Sequence, residues 1–175
     1  VSAALEVVEQ RDRREPQHLT SLPVTVSGQI LKIAEVDEYR FTAPATGPVT
    51  CEIVAAGIDS PLTAIVEIRD ASGRLVADAA DTAARDERFT FTVEAGQEYF
   101  ARVYDADFRG NRSFVYRLSF TPGARLLSTF PAAVQRGTVQ DVEFFGFGLA
   151  TGTAKFESVN RTLSVPTDPA AKSFS

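Results

Sequence analysis

Short stretches in which apolar and polar residues alternate, broken by Gly, Pro, Asp and Asn, run through most of this chain. Leu22, Val24 and Val26 share one face, and Gly28 interrupts the run before it resumes at 29–33. Asp37, Tyr39 and Phe41 then fall on one side, with Glu38, Arg40 and Thr42 on the other. The same period of two recurs over residues 49–55, 65–69, 75–77, 89–93, 99–103 and 114–120. A period of two in runs this short describes strands that are wet on one face and dry on the other, an arrangement that two packed sheets satisfy. The pattern predicts about eight strands between residues 22 and 121 in an all-β antiparallel β-sandwich with jelly-roll character. The only helical reading, 82–88, is too short to matter.

The turns have chemical causes. DASG, residues 70–73, pairs an Asp that can bond nearby backbone with a Gly that accepts positive φ. Pro44–Pro48 with Gly47, the loop 57–61, Glu94–Gln97 and the loop 105–112 separate the other runs. Before the strands, residues 1–21 read as a lead-in segment or linker: an apolar patch at 3–8, then a charged run to Pro16. After residue 122 the composition changes. Residues 124–134 read as a mixed apolar connector, 139–145, 153–159 and 162–165 as further strands, and 166–175 as a fraying end. The division expected is therefore 1–21, a sandwich over 22–122, and a β-rich extension or truncated second domain over 123–175.

Composition narrows the function by exclusion. The chain has 175 residues, 44% of them apolar with 13 Phe, enough for a core without disulfide or metal. The single cysteine, Cys51, lies on an alternating run with Val49 and Ile53 and reads as a buried hydrophobe. The formal charge is −5, with no basic stripe, which excludes sequence-independent nucleic-acid binding. No apolar run reaches the length of a membrane span. The opening residues do not read as a secretory leader, and both chain ends read as processing boundaries.

Catalytic inventories are equally thin. His18 is the only histidine and sits beside the charged N-terminal run, where it reads as exposed. A Ser–His–Asp or Cys–His set would have to use it, and G-x-S-x-G, HExxH and the P-loop pattern are absent. GFGLATG, residues 146–152, does not open a helix as a dinucleotide loop does. The expectation is a protein that is not an enzyme. Two binding readings survive. Asp37, Asp70, Asp78, Asp81, Asp105 and Asp107 stand in loops or near strand ends, where oxygen ligands for a structural calcium ion are commonly found, although the EF-hand spacing is absent. Ordinary turn and surface carboxylates are the other reading of the same six. Phe100, Tyr104 and Phe108 fall out of phase with the core register. Tyr104 and Phe108, flanking an acidic loop, are the ligand-facing candidates, for stacking on a sugar or for meeting a neighbouring domain.

Residues 22–121 resemble the bacterial pre-peptidase C-terminal domain, a jelly-roll-like β-sandwich of secreted multidomain proteins. The matching blocks run in order: LPVTVSGQI (22–30), VDEYRF (36–41) with the Asp-x-Tyr-x-Phe hallmark, VEIRDASGRLV (66–76), FTFTVEAGQEYFARVYD (89–105) and YRLSF (116–120). The Gly-rich segments between such blocks are similar to those of large planctomycete-type secreted proteins. Where many members carry an Asp-Asp pair after the Gly turn, this chain has DAADTAARD (78–86), a departure that bears on any calcium carried over from the family. Related domains in collagenases bind collagen, but no position here carries that ligand across. Residues 130–149, FPAAVQRGTVQDVEFFGFGL, resemble the start of an Ig-like fold of the transcription-factor/plexin (IPT/TIG) type. The resemblance implies a non-catalytic accessory, adhesion or interaction module of an exported protein: secreted, periplasmic or cell-surface. It would contact neighbouring domains and an extracellular protein or polysaccharide. A carbohydrate-binding module of a secreted enzyme is the alternative.

Overall fold

The computed structural model describes residues 4–10, 14–79 and 86–167. Thirteen strands occur among them: β1 Leu5–Val8, β2 Gln17–Leu19, β3 Val24–Gln29, β4 Asp37–Thr42, β5 Gly47–Val54, β6 Ala64–Asp70, β7 Leu75–Ala79, β8 Glu87–Val93, β9 Glu98–Asp105, β10 Val115–Pro122, β11 Arg125–Phe130, β12 Val139–Phe147 and β13 Phe156–Ser164. Two five-stranded sheets, ordered β1-β3-β10-β5-β8 and β2-β4-β9-β6-β7, form a sandwich; β11-β12-β13 form a third, smaller sheet. The strands expected between 22 and 121 are the eight from β3 to β10.

Alternation is what builds the core. Tyr39 and Phe41 of β4, Val66 and Ile68 of β6, and Ala101 and Val103 of β9 point inward from one sheet. Val24 and Val26 of β3, Cys51 and Ile53 of β5, and Tyr116, Leu118 and Phe120 of β10 meet them from the other. Phe41 lies 5.1 Å from Phe120 of the facing sheet and 5.7 Å from Tyr99 of its own, centroid to centroid, so the first of these aromatic contacts joins the layers. Cys51 is wholly buried, and burial pushes its thiol pKa up, so it behaves as a small hydrophobe. Among the described residues no helix is long and apolar enough to cross a membrane.

Four local readings are corrected. Residues 29–33 do not resume as a strand: the Glu35 carboxylate accepts the N–H groups of Leu31 and Lys32, and Ala34 takes φ 59°, which turns the chain. The N-terminal residues are more than a linker, because β1 pairs in parallel with β3, and β2 in parallel with β4. Residues 125–130 are a strand and not a connector, paired antiparallel to β12 with a bulge between Leu126 and Ser128. The two last strands expected at 153–159 and 162–165 are one, β13, in register with all of β12.

Candidate functional site

Three polar arrangements could carry function, and each is set by strand register. The first lies at one end of the sandwich. Asp37 starts β4 facing inward; Tyr116 faces it from β10. The Tyr116 hydroxyl donates to Asp37 Oδ2 and meets the Tyr39 hydroxyl at 2.6 Å. Above them opens a cleft of about 300 Å³ whose wall includes Glu9, Glu15, Glu35, Asp37 and Glu38, with Arg14 and Lys32 between. Burial raises the Asp37 pKa to about 7, against the pull of the Tyr116 hydrogen bond, and the charges of Glu9 and Glu35 push the same way. Burial likewise drives Tyr39 and Tyr116 upward.

A carboxyl group with a raised pKa beside a cleft is the signature of a general acid. The bonding here is of another kind. Asp37 is 7% exposed and turned toward the two tyrosines. Glu9 accepts the Gln29 N–H at 2.9 Å and also meets the Asp37 carboxyl, and Glu35 accepts two backbone N–H groups, so both carboxylates hold the chain's own turns and Glu9 pairs with Asp37.

The second arrangement closes the loop after β9. Asp105 is completely buried and accepts N–H groups of Thr63, Asp107 and Arg109, together with Nε (2.8 Å) and Nη2 (3.0 Å) of the Arg109 guanidinium. Burial would raise its pKa, but the Arg109 and backbone hydrogen bonds outweigh burial and lower it. Arg109 also lies 5.3 Å over the Phe114 ring. Gly110 is required where this loop meets the 31–35 turn, since a Cβ there would stand 2.2 Å from the Lys32 carbonyl oxygen.

The third is the outer face of the β4-β9-β6 sheet. Register aligns Glu38, Arg102 and Glu67 in one row, and Arg40, Phe100 and Arg69 in the next. Arg102 bonds Glu38 at 2.9 Å, Arg69 bonds Glu67, and the Tyr104 hydroxyl donates to Glu67 at 2.9 Å. Burial opposes ionisation of Glu67, yet the Arg69 and Tyr104 hydrogen bonds prevail and its pKa falls. Tyr104 is half-buried and Phe108 is 54% exposed; their rings lie 5.8 Å apart and 9° from parallel.

The structure therefore brings Tyr104 and Phe108 together and disperses the aspartates. Asp37 is at the tyrosine end, and Asp105 and Asp107 share the Arg109 loop. Asp70 binds Ser72 and Arg74 within its own turn, which lowers its pKa to about 2. Asp78 is exposed near the end of β7, and Asp81 lies outside the described residues. Among the described residues no three His, Cys, Asp or Glu side chains are grouped to hold a metal ion. Both carboxylate oxygens of Asp70, and both of Asp105, accept N–H or O–H donors. Sequence reading missed Tyr116 as the partner of Asp37, 79 residues away, and Arg109 as the partner of Asp105. Only the second had a local signal, the four-residue spacing.

No family model and no curated protein sequence matches the chain. Among solved structures it is similar to the pre-peptidase C-terminal domain of a collagenase from Bacillus anthracis, at 16% identity and TM-score 0.50, over 64% of this chain and 100% of that one. It is also similar to PliG, a periplasmic inhibitor of g-type lysozyme from Aeromonas hydrophila, at 14% identity and TM-score 0.44, over 67% of this chain and 96% of that one. A third likeness, 10% identity and TM-score 0.37, is to Clostridium perfringens ZmpB carrying its M60 catalytic domain and two CBM51 domains, over 74% of this chain and 18% of that one. The first shows a fold of the pre-peptidase C-terminal kind. The other two are too distant to add to it.

Proposed function

We propose that this chain is a non-catalytic accessory module, for adhesion or interaction, of an exported multidomain protein that works in the secreted, periplasmic or cell-surface space. One observation carries the reading. The polar groups with displaced pKa values are bound to one another or to backbone, as in Asp37–Tyr116–Tyr39 and Asp105–Arg109, which supports a part in holding the fold. Exposed apolar side chains stand at two places: Phe108 at the sandwich end, and Phe130, Val139 and Phe156 on the third sheet, each of these three at least 60% exposed. The third sheet is the place for a neighbouring domain to pack, and the sandwich end for a ligand.

The test is retention of the purified chain on insoluble polysaccharides and on collagen, with the supernatant assayed for released sugars and peptides. Retention without release supports an accessory module. Release of either product, abolished by Asp37→Asn, would make the tyrosine-end cleft an active site and overturn the reading. A second reading, a carbohydrate-binding module, is favoured by the exposed Phe108 ring in an open cleft that Asp107, Arg109 and Asn111 share with Ile33, Pro61 and Phe114.

A further inference from the structure

Phe108 is a residue the fold does not need where it stands. Its backbone lies in the left-handed region, φ 55°, where a bulky side chain costs roughly 1–2 kcal/mol and where Gly or Asn is the usual occupant. The strain is not repaid by burial, since more than half of the residue faces solvent. The surroundings nevertheless fix it firmly. Its N–H bonds the Asp105 carbonyl at 2.9 Å and its carbonyl accepts the Ala34 N–H at 2.9 Å. The buried Asp105 carboxylate, bonded to the exposed Arg109, locks the loop from beneath, and the ring lies against Tyr104, itself anchored through its hydroxyl to Glu67. An exposed aromatic held rigid at an energetic cost is a preorganised contact surface.

The cleft beside it has a volume of about 640 Å³, within the roughly 300–1,000 Å³ of small-molecule sites. Its polar rim offers one acceptor and two kinds of donor. Asp107 is a largely exposed carboxylate 3.5 Å from Arg109. Asn111 engages its Oδ1 with Ser113 and keeps its amide N–H groups for an outside partner. Arg109 uses Nε and Nη2 on Asp105 and retains Nη1. A flat ring flanked by a carboxylate, an amide and a guanidinium matches a sugar: the ring takes the apolar C–H face, the polar groups take the hydroxyls.

We infer that Phe108, with Asp107, Arg109 and Asn111, forms a binding site for a neutral glycan of gluco-configured, β-linked pyranose units, glucose or N-acetylglucosamine. Equatorial hydroxyls leave C–H groups on both faces of a gluco-configured ring, so either face can lie on Phe108, whereas an axial hydroxyl closes one of the two. Neutrality follows from charge: Arg109 is already compensated by Asp105, Asp107 is not compensated to the same degree, and the chain carries −5, so a uronic-acid polymer is repelled. The site rests on the carbohydrate version of the function proposed above.

The experiment is titration of cellohexaose and chitohexaose, separately, into the full chain and into Phe108→Asn, followed by calorimetry and by amide chemical shifts. Asn accepts the left-handed backbone, so this variant is expected to melt no lower than the parent chain. Saturable binding with Kd on the order of 1 mM or tighter is expected for at least one oligosaccharide, weakened at least tenfold, about 1.4 kcal/mol, in Phe108→Asn. Retained affinity in Phe108→Asn, or shifts centred away from residues 107–111, would overturn the site while leaving an accessory module in place. So would Phe108-dependent dimers in sedimentation with no sugar binding, which would make this end an interface between copies. Cleavage of the oligosaccharides would instead overturn the non-catalytic reading itself, and it is read separately by chromatography of the titrant.

Discussion

Tyr116 shows how much one side chain can carry. Its ring fills the core between the sheets while its hydroxyl joins Asp37 and Tyr39, and the ring fits because β3 offers Gly28 opposite it. A Cβ on Gly28 would stand 2.3 Å from Tyr116 Cζ, a separation no packing adjustment absorbs cheaply. Gly28→Ala is therefore expected to destabilise the chain by about 2–4 kcal/mol, through displacement of Tyr116 and loss of its hydrogen bonds. Tyr116→Phe keeps the ring and removes only the hydroxyl, so about 1–3 kcal/mol is expected. Urea unfolding separates the two. Equal losses would mean that the glycine acts only through the hydroxyl network, whereas a larger loss in Gly28→Ala shows that ring position matters independently. Asp105→Asn makes the corresponding test at the loop. It weakens the acceptor that the Thr63, Asp107 and Arg109 N–H groups share, while Arg109 itself stays in solvent, and is expected to cost about 1–3 kcal/mol.

At the scale of elements, legibility followed the length of the alternating run. The strands β3 to β10 read directly, because five to eight residues with one dry face leave little choice of register. The strands β1 and β2 did not. Four and three residues have no measurable period, and they are strands only because the open edges of β3 and β4 offer them hydrogen bonds. The third sheet was half legible: β12 reads as a strand, but the bulge in β11 breaks its alternation, and the polar face of β13 hides its length. For the site, the period of two alone sets Tyr104 and Phe108 off the core. It does not reveal that Asp37 and Asp105 bind Tyr116 and Arg109, because a carboxylate near a strand end looks the same whether it faces a cation, solvent or another side chain.

The same distribution of contacts predicts where the chain can be cut. Every member of the main core cluster lies between Leu19 and Phe120, and Val142 is the buried apolar residue found beyond it. The third sheet meets the sandwich through smaller contacts, such as the Ala154 N–H on the Thr92 hydroxyl at 2.8 Å and Pro48 against Gly148. A chain ending at Gly123 is expected to unfold cooperatively, with a stability within about 1 kcal/mol of the full chain, by urea titration. Loss of the transition would show that the third sheet is part of the folding unit and not an appendage to it.

For the whole molecule, opposing carboxylate shifts set how stability responds to pH. The pKa values of Asp70, Asp105 and Glu67 are lowered by folding, so they contribute stability that is present above their unfolded values and lost as pH falls through the folded ones. Asp37 acts in the other direction. Its folded value is raised to about 7 from an ordinary carboxylate value of 3.8, so its contribution is complete below about pH 4 and disappears as pH rises through 7. The loss across that window is at most about 4 kcal/mol, at roughly 1.4 kcal/mol per unit. Stability is therefore expected to peak on the acid side of neutrality, near pH 5, and to decline toward pH 8. Asp37→Asn removes the titrating group while keeping an acceptor for Tyr116, and should flatten the decline between pH 5 and 8 without altering the acid limb. A calcium arm belongs in the same series. Because Asp70 and Asp105 are internally occupied and Asp37 is turned toward the tyrosines, the midpoint at pH 7.5 is expected to be equal in EDTA and in millimolar CaCl₂ at matched ionic strength. A calcium-dependent rise abolished by Asp37→Asn would mean that a cation, and not a proton, neutralises the tyrosine-end cleft, and the alkaline decline would then vanish whenever calcium is present.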